Sequence, residues 1–169
     1  MRCVQQAAAL LIGLSIAAGL ARPALASETI DRERAAEYFR ETAACCAREG
    51  GRIWGRSLAG PLMFVERQSR AVVADRADPE GCLQQDGKVF VGELPSTEAI
   101  ANTAIDWRGL RWTMVIWPPP ADREERLRLI LHESWHRVQQ ELGFPLTMMG
   151  NRHLETREGR MWLQLEWRA

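Results

Sequence analysis

Apolar residues in the middle of the chain come in short runs set off by turn formers: "PLMFVE" and "RAVVAD", then "GKVFVGEL", "NTAIDW" and "LRWTMVIW". Runs of this length, rich in β-branched and aromatic residues, are strand and hairpin grammar. Arg108-Gly109 is a two-residue link of the kind hairpins use, and Asp86-Gly87 marks another turn. The pattern predicts about five strands, mainly antiparallel. The three prolines 118–120 cannot continue a ladder, so the sheet is expected to end there.

On either side the period lengthens to that of a helix. Residues 28–48 are rich in helix formers and are stopped by Gly50-Gly51. After the prolines, Asp122 suits an N-cap with Glu125 three later, and Leu127, Ile130, Leu131, Val138 and Leu142 recur at helical spacing up to Gly143. This predicts a second helix over 123–142. A third is expected from about residue 152, with no stop signal before residue 169, so the pattern reads as a fragment or as a chain whose C-terminus lies in a helix. The class expected is α+β, a single domain with the sheet between the first and second helices in the chain.

Residues 1–26 belong outside that domain. Arg2 precedes the apolar stretch 7–20, and Ala24-Leu25-Ala26 is a small-x-small cleavage site, which together predict a secretory signal peptide. Export to the periplasm or the extracellular space follows, with no stable membrane span after cleavage. Residues 27–169 can bury roughly two thirds of their unfolded surface without a staple. Removing Arg2 and Arg22 from 22 basic residues leaves 20 against 22 acidic ones, net −2, and the arginines are scattered as on a solvated surface. Nothing in this balance suggests nucleic acid as a partner. Of Cys45, Cys46 and Cys82, a disulfide from Cys82 to Cys45 or Cys46 is expected in an exported chain.

The candidate chemistry sits in "RLILHESWHRV", residues 128–138. Residues four apart on a helix share a face, so His132 and His136 can aim two imidazole nitrogens at one metal ion. Glu133, about 100° round the helix, points away from ligation but within reach of a water held there, where it can serve as general base. Zn²⁺ is the cofactor this pattern implies. Chance produces H-E-x-x-H on the order of once in a hundred chains of this length, so context has to carry the reading.

"HESWH" on a helix after an antiparallel sheet, followed by a further helix bearing glutamates, resembles the zincin metallopeptidases, in particular their gluzincin branch. The longer pattern, including "WGRSLAGPLMFVE" and "HLETREGRMWLQLEWRA", also resembles a set of uncharacterised exported bacterial proteins. The resemblance implies a zincin-like fold, a peptide or protein substrate, and a third metal ligand from a glutamate on the next helix. Spacing from His136 ranks Glu155 first, with Glu158 and Glu166 as alternatives. Arg137 departs from the motif, which tends to be uncharged there. The oxyanion would fall to His153 or to an arginine, since Tyr38, the sole tyrosine, is remote in sequence. The strand "RWTMVIW" is the expected place for an extended substrate to pair. The rival readings are a non-catalytic exported zincin-like domain and a cell-envelope interaction module.

Overall fold

The computed structural model describes residues 29–144 and 156–166. Helix α1 (Arg32–Glu49) is followed by β1 (Leu62–Val65), β2 (Ala71–Ala74), β3 (Gln84–Asp86), β4 (Val89–Glu93), β5 (Thr103–Trp107) and β6 (Leu110–Ile116). Then come α2 (Arg123–Val138) and α3 (Arg157–Glu166). The fold is α+β, but the sheet differs from the expected one. It has six strands in the order β3-β4-β2-β1-β6-β5, and it is mixed, because β1 and β6 run parallel while the other neighbours are antiparallel. The strand absent from the sequence reading, β3, is "QQD": three polar residues at an edge carry no hydrophobic period. A parallel neighbour is likewise invisible to local pattern, since Leu62 and Thr113, which pair, are far apart in the chain.

The hairpin at Arg108-Gly109 forms as expected. Both residues take positive φ, 51° and 77°, the two-residue turn whose twist matches that of the flanking strands. The sheet is covered on both faces, which is why all four residues of β1 are buried. Leu62, Phe64, Val73, Val115 and Trp117 pack under α1 and α2, where Phe39 stacks on Phe64 with ring centroids 5.1 Å apart. Met63, Val65, Val72, Trp112 and Met114 point the other way, beneath Leu83, Leu94 and Ile100 of the connecting segments.

Asp31 caps α1 by accepting from the Arg34 amide, and Gly50 ends it in the left-handed region at φ 64°. Asp122 caps α2 as expected, accepting from the amides of Glu124 and Glu125. This helix stops at Val138, four residues short of the expected end, and residues 139–143 continue as turns.

The arginines are not all solvated. Arg126 is only 5% exposed: its guanidinium lies 3.8 Å from the Tyr38 ring centroid, pairs with Glu41 of α1 and donates to the carbonyls of Pro120 and Ala121. That side chain fixes the start of α2 against α1 and holds the proline turn. Nor does the expected bridge from Cys82 to Cys45 or Cys46 form. All three are free thiols; Cys45 and Cys46 lie on α1, while Cys82 is exposed on the loop whose Leu83 enters the opposite core layer.

That loop is organised by Asp78, a buried carboxylate accepting from the amides of Glu80, Cys82 and Leu83. Burial pushes its pKa up, but the amide donors outweigh burial and hold it below the usual range. A depressed folded-state pKa contributes stability that is present above the unfolded value, about 3.9, and lost as pH falls through the folded one. Urea unfolding across the acid range should therefore show stability falling below about pH 4, with a shallower fall in Asp78→Asn, and an unchanged acid limb in that variant would refute the assignment.

Candidate functional site

The rotation of α2 about its axis is set by Leu127, Ile130, Ser134 and Val138, which are buried against the sheet. The Ser134 hydroxyl donates to the Ile130 carbonyl at 2.8 Å and meets the Thr113 hydroxyl of β6 at 3.4 Å. With that face turned inward, Glu133 is carried to the side facing β5 and is 7% exposed, whereas His132 is exposed and His136 half-buried.

His132, Glu133 and His136 line a cleft of about 350 Å³, shared with Asn102, Thr103, Ala104 and Arg111. The two Nε2 atoms are 3.1 Å apart. His136 Nδ1 lies 2.7 Å from Gln139 Oε1; the ring N–H donates to the amide oxygen, which leaves the Nε2 lone pair facing His132. Two nitrogens bound at 2.0–2.1 Å to one tetrahedral ion stand about 3.3 Å apart. The observed separation, together with an acceptor on the far nitrogen of His136, fits a pair of zinc ligands.

The opposite wall is β5. It pairs with β6 on one side only and forms the edge of the sheet among the described residues, with Asn102 accepting from the Ile116 amide at its start. This corrects the expectation for "RWTMVIW": β6 lies between β1 and β5 with both edges occupied, so an added strand finds its free edge on β5. Arg111, which the sequence did not single out, reaches the cleft because β6 alternates faces. Its Nε donates to the Arg137 carbonyl at the end of α2 and Nη1 pairs with Asp106 at 2.6 Å.

Glu155 and His153 lie outside the described residues, as does the side chain of Glu166 at the end of α3. Glu158 is exposed in the first turn of α3, which Thr156 caps through its hydroxyl, and does not line the cleft. Among the described residues no group of three or more His, Cys, Asp or Glu side chains is placed to hold a metal. No family model, curated protein or solved structure matches the chain.

Arg137, the departure from the motif, has a structural task. It turns away from the cleft and donates at 2.9 Å to the carbonyls of Leu58 and Ala59, fastening the segment after α1 to the end of α2. Burial, with Arg56 and Arg76 nearby, lowers its pKa. A Cβ on Gly60 would collide with the guanidinium, which would have to shift and strain its bonds to Leu58 and Ala59. Gly60→Ala should cost about 1–2 kcal/mol in the native chain and nearly nothing in an Arg137→Ala background. A double-mutant cycle by urea unfolding measures this; additive costs would refute the contact.

Proposed function

We propose that this chain is an exported zinc-dependent metallopeptidase of zincin-like design that hydrolyses peptide bonds of an extended substrate. The observation that carries the proposal is the pair of imidazole Nε2 atoms 3.1 Å apart beside a buried glutamate, in a cleft walled by the edge strand. His132 and His136 would hold the ion, with a third ligand from Glu155, Glu158 or Glu166. When bound, Zn²⁺ lowers the pKa of water and polarises the carbonyl.

The chain's own residues supply the rest. The edge of β5 offers main-chain donors and acceptors that align the substrate as an added strand beside the histidines. Glu133, about 100° round the helix from His132 and lining the same cleft, takes the proton of the attacking water and passes it to the leaving amine. Arg111 is the cation in the cleft wall, suited to the negative charge that develops on the carbonyl oxygen. Gln139 keeps His136 in the tautomer whose Nε2 binds. Export is the proposed setting; among the described residues no helix is long and apolar enough to cross a membrane.

Zinc content by mass spectrometry, paired with a peptide-library digest, tests this reading. One zinc per chain is expected, absent in His132→Ala. Glu133→Gln should retain the metal and lose about 10²–10⁴-fold in kcat. A protein that takes up no zinc after incubation with it would overturn the proposal. Separately, Gln139→Ala should weaken zinc binding about 10–100-fold in a chelator competition, while a change under twofold would remove Gln139 from the site.

A further inference from the structure

A second concavity opens on the other side of His132. Between the end of α1, the turns that follow it and the outer side of α2 lies a groove of about 610 Å³, lined by Ile53, Trp54, Leu58, Leu131, Trp135 and His132 itself. Trp54 leans on Trp135 with ring centroids 5.7 Å apart, and Phe144 meets the same indole at 6.0 Å. None of these apolar residues belongs to either core layer, and Ile53 and Trp54 remain 72% and 42% exposed. The turn that carries them is held in place nonetheless: Glu49 accepts from the amides of Gly51 and Ile53, and Arg137 fastens Leu58 and Ala59. An apolar concavity of this size with a fixed rim is the form of a ligand site, not of a packing fault.

Its place in the molecule narrows the occupant. His132 lines both the groove and the cleft, so the two spaces adjoin across that side chain. A peptide paired along β5 sends successive side chains to opposite faces, and the one beside the histidine pair is the one that can pass over His132. Glu49, engaged with the Gly51 and Ile53 amides, and Arg128 also reach the lining, but the rest of the wall is apolar, so a large apolar side chain gains more there than a charged one that gives up its water. We propose that the groove receives a large apolar side chain of the substrate, from the residue next to the bond to be cut, and so directs cleavage to Leu-, Met- or Phe-sized residues. This rests on the peptidase reading, which it deepens.

Cys45, half-buried in α1 and also lining the groove, reports on occupancy without any need for turnover, and exposed Cys82 serves as an internal reference. Alkylation of the full chain with iodoacetamide, read by peptide mass mapping, would be followed with N-acetyl-phenylalanine amide, N-acetyl-leucine amide or N-acetyl-aspartate amide present. At about four times its Kd an apolar probe should slow Cys45 about fivefold, because only the empty groove reacts, and leave Cys82 unchanged. The aspartate probe should do neither. Trp54→Glu and Ile53→Glu, both at the exposed lip, should each abolish the protection. In a library digest, bonds beside large apolar residues should be cut about tenfold faster than those beside charged ones, a difference of the size one side-chain pocket gives.

Equal protection by all probes, none by any, or a Cys45 inert in the free protein would overturn the groove as an apolar subsite. Cleavage without apolar preference would overturn it too, while leaving the peptidase standing. Protection without hydrolysis of any peptide would instead bring down the peptidase reading, and with it the assignment of the groove to a substrate.

Discussion

The candidate site depends on one packing contact, α2 pressed onto β6 and β5. Leu127, Ile130 and Val138 supply the apolar burial, and Ser134 meets Thr113 at the sheet surface. A helix held at those positions has no freedom to roll. A roll of one residue, about 100°, would carry Glu133 out of the cleft and turn His132 and His136 away from β5. The distance between the imidazole nitrogens is thus a consequence of where branched aliphatic side chains sit on the far side of the same helix.

Elements with strong local signals were legible in the sequence. Both long helices, the Asp122 cap, five of the strands and the Arg108-Gly109 turn follow from period and turn chemistry within short windows. What escaped depends on partners distant in the chain. β3 is polar and holds its place only by pairing with β4; the parallel contact of β1 with β6 joins separate segments; and the free edge proved to be β5 because β6 is taken up on both sides. The histidine helix could be read because its three chemical residues lie within five positions. Arg111 and Gln139 could not, since an arginine in a strand and a glutamine after a helix have no period or spacing to mark them.

Charge behaves in the same way. Scattered arginines in a nearly neutral chain look solvated, yet Arg126 and Arg137 are fasteners, one at each end of α2. Arg126 joins the helix to α1 through the Glu41 carboxylate and to the carbonyls of the proline turn, and Arg137 joins it to the carbonyls of the segment after α1. A planar guanidinium with several donors can close such a junction where a lysine, a point charge, would not reach two carbonyls at once.

The cleft and the groove beside it are built from different parts of the chain. Every residue lining the cleft falls between Asn102 and His136, a hairpin and the helix that follows it. The groove needs the far end of α1 as well, so its walls meet only after a loop of some 80 residues has closed, from Leu58 to Arg137. Contacts near in sequence close at a lower entropic cost than so long a loop. The candidate cleft is thus assembled from contacts near in sequence, and the groove beside it from one that spans most of the fold.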